Sequence, residues 1–144
     1  MKYIYPAIFT PEPEGGYGVA FPDLPGCVTC GGSLADAMDM GRDALAMWLC
    51  DAEDKHEPIP AASKISEVNH DDGSFVSLVD VDTIEYRRET ENRAVKKTLT
   101  IPSWLNAYAE KAGLNFSQLL QDALKERLGI QEPQRPRSAR GGAD

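Results

Sequence analysis

Long apolar runs, an export leader, paired cysteines and a histidine cluster are all missing from this sequence. No stretch approaches the roughly 18 consecutive apolar residues of a membrane-spanning helix. The N-terminus, MKYIYPAIF, has one lysine but neither an apolar h-region nor a small-residue cleavage site. The cytoplasm is therefore the expected compartment. Three cysteines, Cys27, Cys30 and Cys50, are an odd number for a disulfide framework in a chain with no leader. Cys27 and Cys30 form a CxxC, but within PGCVTCGG they read as one short strand whose side chains point to opposite faces. A redox CxxC belongs instead at a helix N-terminus. A structural zinc needs two further ligands, and Cys50, His56 and His70 stand at no zinc-site spacing. Neither a metal nor a cofactor is expected.

What is present is charge, unevenly shared. The net charge of −8 conceals a division. Residues 1–82 hold four Lys/Arg against 15 Asp/Glu, a net of −11, and residues 83–144 hold 11 against eight, a net of +3. An acidic half suits a basic partner and a basic half suits phosphate.

The first half reads as an α+β domain. Residues 3–9 (YIYPAIF) have strand composition, with Pro6 pointing to an edge or a bulge. A Pro/Gly hairpin loop leads to a second strand, YGVAF, and a turn at residues 23–26 to a third, CVTC. Ser33 then reads as a helix cap, and Leu34, Ala37, Met38, Gly41, Leu45, Trp48 and Leu49 make one apolar stripe up to about residue 54. A Pro-containing return is followed by alternating SFVSLVDVD, a fourth strand. The order is β-β-β-α-β, a helix over a small sheet.

Residues 83–93 (TIEYRRETENR) are mostly charged and carry no sustained apolar stripe, and read as a linker with room for one helical turn. Beyond them, residues 95–101 (VKKTLTI) alternate as a strand closed by Pro102. Ser103 caps a helix ending at Gly113, and Asn115 or Ser117 caps a second helix ending at Gly129. Residues 131–144 are rich in Pro, Gly and Arg and are expected to be a disordered tail. One strand and two short helices at residues 94–130 bury no stable core alone. Two intertwined copies do, their strands paired as a ribbon with Lys96, Thr98 and Thr100 facing outward.

The text VKKTLTIPSWLNAYAEKAGLNFSQLLQDAL resembles the ribbon-helix-helix DNA-binding pattern, which works as a dimer. The resemblance implies base contacts from Lys96, Thr98 and Thr100, and a phosphate held near Asn115, Phe116 and Ser117. Lys97 departs from the pattern, standing where an apolar residue is usual.

The N-terminal text PEGGYGVAFPDLPGC, followed by GGSLADA, resembles the HicB antitoxin family over most of residues 3–82. That resemblance implies a partial RNase H-like fold at residues 1–82 and neutralisation of a HicA-like, mRNA-cutting toxin. It also implies repression of the chain's own operon. Acidic loops carrying Glu12, Glu14 and Asp23, with Tyr17 and Phe21 as anchors, are the expected toxin contacts, and larger assemblies with toxin are an extension of the same scheme. An RNase H-type nuclease needs a carboxylate on its first strand, and residues 2–10 contain none. Asp80 and Asp82 alone make a poor metal site, so no enzyme is expected. A stand-alone repressor with a ligand-sensing N-terminal domain is the alternative.

Overall fold

A computed structural model describes residues 1–132 of the chain, so the tail expected at residues 131–144 lies, from residue 133 on, outside the described residues. Two compact units divide at residues 94 and 95. The first contains strands β1 (Lys2–Pro11), β2 (Tyr17–Ala20) and β3 (Val28–Gly31), helix α1 (Leu34–Asp54), strand β4 (Phe75–Asp82) and helix α2 (Thr83–Thr90). A short 3₁₀ turn, Ile65–Glu67, lies between α1 and β4. The second unit holds helices α3 (Ser103–Lys111) and α4 (Phe116–Leu128).

The four strands form one antiparallel sheet in the order β3-β2-β1-β4, the mixed α+β arrangement read from the sequence pattern. Register follows the alternation of side chains. Tyr5 opposes Val79, Phe9 opposes both Phe75 and Val19, and these residues share the face that meets α1. Pro6 sits in a strand that is central by order, yet β2 pairs only with Ile8 to Pro11. The Thr83 amide donating to the Met1 carbonyl sets a phase in which odd-numbered residues of β1 bond β4, so the Pro6 nitrogen faces the side that β2 does not reach and its missing N–H breaks no ladder.

Helix α1 begins at Ser33, whose Oγ accepts from the Asp36 amide at 3.1 Å, while the Asp36 carboxylate accepts from the Gly32 amide at 2.8 Å. Two otherwise orphaned N–H groups are thereby satisfied, and a carboxylate sits at the positive end of the helix. Ala37, Gly41, Leu45, Ala46 and Leu49 bury the inner face against Phe9, Val19, Phe21, Leu24 and Val79. Trp48 is only partly buried, its indole N–H donating to the Pro25 carbonyl at 3.0 Å. Leu34, expected on the buried stripe, is half exposed; burial of α1 begins at Ala37.

The linker expected at residues 83–93 is corrected over its first eight positions, which form α2. Asp82 caps this helix, accepting from the Ile84 amide at 2.9 Å. The Thr83 hydroxyl is buried between the N-terminal amine (3.2 Å) and Glu53 Oε1 (3.0 Å). Arg87 donates to the Cys50 carbonyl at 3.2 Å, to Glu53 at 3.3 Å and to Asp54 at 2.9 Å. These contacts across 30 or more residues hold α2 on the end of α1, and an apolar stripe is not required for them.

In the second unit Asn115 caps α4, accepting from the Gln118 amide at 3.0 Å, and Gly129 ends it with φ +68°. Ser103 is the first residue of α3 rather than its cap; Pro102 stands at the cap position with no side-chain bond. Residues 95–101, expected as a strand, are in no ladder within the single chain. A strand needs a hydrogen-bonding neighbour, and none of the described residues pairs with that segment.

Candidate interaction surfaces

The first surface is carried by the solvent side of α1 and its flanks. Spacing of three and four residues puts the exposed Asp39, Met40, Asp43 and Met47 along one side of the helix. Between α1, the end of β4 and α2 lies an open cleft of about 560 Å³ lined by Asp39, Asp43, Asp80, Asp82, Glu85 and Glu89. Its two cations, Lys2 and Arg42, both reach Asp80, at 3.5 and 3.6 Å. The carboxylates outnumber them, so the cleft is electronegative. Tyr86 also lines it, its hydroxyl held by burial and by Asp43 above the usual tyrosine range. Asp82 is held below the ordinary carboxylate range: burial opposes this, but the Ile84 and Glu85 amides and the N-terminal amine outweigh it. Among the described residues no group of three or more His, Cys, Asp or Glu is placed to hold a metal ion.

A second groove adjoins the first at Asp43 and lies between Val28 and Thr29 of β3 and Met40, Ala44, Met47 and Trp48 of α1. Cys27 is buried beside it, and burial pushes its thiol up to about 11. Cys30 is exposed and Cys50 buried, so the CxxC sends its sulfurs to different environments. With Ellman's reagent at pH 8, one thiol per chain, Cys30, is expected to react quickly and the other two only on unfolding. Two thiols reacting at equal rates would contradict this packing.

The five expected partner-contact residues of the first unit are not alike. Glu12 and Glu14 are exposed in the β1–β2 hairpin. Tyr17 is half-buried, edge-on to Phe75 at a centroid distance of 6.2 Å. Phe21 lies in the core at 3% exposure, so it supports the surface from beneath. Asp23 accepts from the Ser63 amide at 2.8 Å and from its hydroxyl at 2.5 Å, tying down the Pro-containing return. The carboxylates of α1 and α2, which the sequence pattern did not single out, outnumber the expected ones. The alternation of Asp with apolar residues on α1 was the available signal.

In the second unit Lys96, Thr98 and Thr100 are exposed in the segment before α3, and Asn115, Phe116 and Ser117 open α4. No described residue from Val95 onward is buried. Leu99, Ile101, Trp104, Leu105, Phe116, Leu119, Leu124 and Leu128 all stand open. Apolar surface of that extent is unusual for a lone soluble chain.

The matching family is described as "HicB_like antitoxin of bacterial toxin-antitoxin system", and it aligns with residues 5–124. The chain belongs to this family of HicB-like antitoxins. Antitoxin HicB of Escherichia coli (strain K12) is 39% identical over 66 residues, 46% of this chain and 48% of that protein. Antitoxin HicB 1 of Photorhabdus laumondii is 35% identical over 63 residues, 44% of this chain and 41% of that protein. The chain thus spans about half the length of the curated antitoxins it matches. A solved toxin–antitoxin complex from Streptococcus pneumoniae is similar with a TM-score of 0.57 at 32% identity, over 88% of this chain and 99% of that one. The Burkholderia pseudomallei antitoxin HicB shares the fold, with a TM-score of 0.51 at 22% identity over 88% of this chain and 98% of that one. Among the described residues no helix is long and apolar enough to cross a membrane.

Proposed function

We propose that this chain is the antitoxin of a type II toxin–antitoxin pair, acting in the cytoplasm. Its first unit binds and neutralises a basic, HicA-like mRNA-cutting toxin, and its second unit represses the operon as a ribbon-helix-helix dimer. The observation that carries the reading is the family match across residues 5–124, which runs from the first unit into the second. Inhibition works by occupation: the electronegative face of the first unit attracts a cationic toxin and covers its RNA-binding surface. Glu12 and Glu14 extend that face from the hairpin, with Tyr17, Phe21 and Asp23 completing the proposed contact region. The fold of this unit is read as partial RNase H-like. Its first strand carries no carboxylate, so the unit is a binding module and not a nuclease.

For the second unit, the exposed apolar residues support pairing of two copies. Residues 95–101 of each chain then form the two-stranded ribbon, with Lys96, Thr98 and Thr100 directed to base edges. Asn115, Phe116 and Ser117 open α4, and the free amides of that first turn suit a phosphate. Thr98→Ala combined with Thr100→Ala should weaken binding to the operon's own promoter DNA by about 1–3 kcal/mol per lost base contact. Toxin binding should not change. Fluorescence anisotropy with labelled promoter DNA and calorimetry with the neighbouring gene's product measure the two. Equal affinity of the double variant for promoter DNA would sink the ribbon assignment.

A further inference from the structure

Strands β3 and β4 are the two edges of the sheet, and they are guarded very differently. β4 carries Asp80 and Asp82, with Lys2 and Arg42 paired to Asp80. Charges on an edge are a usual defence against added strands. β3, Val28–Gly31, has no charge and no proline. Its Val28 side chain is 66% exposed.

The register fixes which backbone groups β3 leaves open. The Phe21 amide donates to the Cys27 carbonyl at 3.0 Å, and pairing then steps by two residues through Val19 with Thr29 and Tyr17 with Gly31. The alternate positions turn outward, so the amide and carbonyl of Cys30 and the carbonyl of Val28 face away from β2. Beside this edge runs the groove formed with Met40, Met47 and Trp48 of α1, and Met47 is 57% exposed. Asp43 lines both this groove and the electronegative cleft, so one continuous surface offers strand-pairing groups, an apolar slot and negative charge.

We infer that β3 is the docking edge for an extended segment of the basic protein partner, which adds a fifth strand to the sheet. An apolar side chain of that segment enters the Met40–Met47–Trp48 groove, and its Lys or Arg residues face Asp39 and Asp43. Only an extended chain can use the outward groups of Cys30 and Val28. Charge selects the occupant: residues 1–82 carry a net of −11, so a second copy paired through β3 would bring two acidic faces together, whereas a cationic segment is attracted. Methionines suit such a slot because they adapt to the side chain that enters. This inference rests on the proposed toxin-binding function and names the surface that performs it.

The test uses the full chain and the purified product of the neighbouring gene, with affinity measured by calorimetry. Cys30→Pro removes the outward amide without touching the β2 ladder, and Met47→Lys adds a like charge to the slot. Each should weaken binding at least tenfold, and amide exchange at residues 28–31 of the wild-type chain should slow when the partner binds. Val28→Lys, at an exposed position, serves as the third variant if Cys30→Pro lowers the melting temperature. Wild-type affinity in Met47→Lys and Val28→Lys, with no change in exchange at β3, overturns the docking edge and leaves the antitoxin reading in place. A wild-type chain that does not bind the neighbouring product overturns both.

Discussion

Leu124→Asp is expected to leave a single 15.8 kDa chain in solution, with no measurable affinity for promoter DNA. The side chain is 51% exposed on α4, and in a lone chain an exposed substitution costs within about 0.5 kcal/mol. The proposed dimer changes that arithmetic. Between two copies the same leucine is covered, and a carboxylate there must either lose its water or force the helices apart. That costs several kcal/mol, and about 4 kcal/mol already corresponds to roughly a thousandfold in dimer dissociation. DNA binding falls with it, because a ribbon of two strands does not exist in one chain. Sedimentation velocity at micromolar concentration, alongside anisotropy with promoter DNA, reads both consequences. An unchanged dimer mass would show that α4 is not part of the interface.

Gly31→Ala should disable the first unit. A Cβ at this position would lie 2.3 Å from the Ala37 amide nitrogen and 2.5 Å from its Cα. Both are backbone atoms in the first turn of α1, so no side chain can swing aside. Either β3 leaves the sheet or the helix start lifts off it, with the Ser33 and Asp36 capping bonds nearby. Overpacking of this kind costs about 3 kcal/mol. For a unit of this size that lowers the melting temperature by about 10–20 °C. Differential scanning calorimetry of the full chain decides it. A melting temperature within two or three degrees of wild type, with toxin binding retained, would mean that the strand and helix do not approach so closely. Because the second unit does not share this contact, promoter DNA binding serves as the internal control.

Much of the architecture was legible in the residues themselves. Strand composition and Pro/Gly turns marked the first three strands, period-two alternation marked the fourth, and the Ser33 cap with its three- and four-residue apolar spacing marked α1. The left-handed glycines Gly113 and Gly129 marked the ends of the second unit's helices. Local rules suffice for these because each element's own backbone and its one buried face set the pattern. Helix α2 escaped notice for a physical reason. Its stability comes from the buried Thr83 and from Arg87 reaching Cys50, Glu53 and Asp54, partners that lie 30 or more residues away. No periodicity in TIEYRRET records them.

Phe21 shows the converse limit. As a strand aromatic it suits either a core or an interface, and only the pairing of β2 against β1 and β3 placed it inside. The carboxylates of the cleft are likewise scattered over α1, β4 and α2 in sequence, and the fold alone gathers them. What the sequence determined by itself was the four strands and α1 of the first unit, the two helices of the second, the division of charge and the family signature, since all are written in short-range order. The tertiary structure decided which edge of the sheet stays open, which carboxylates share a surface and how α2 is held, because those depend on contacts between residues far apart in the chain.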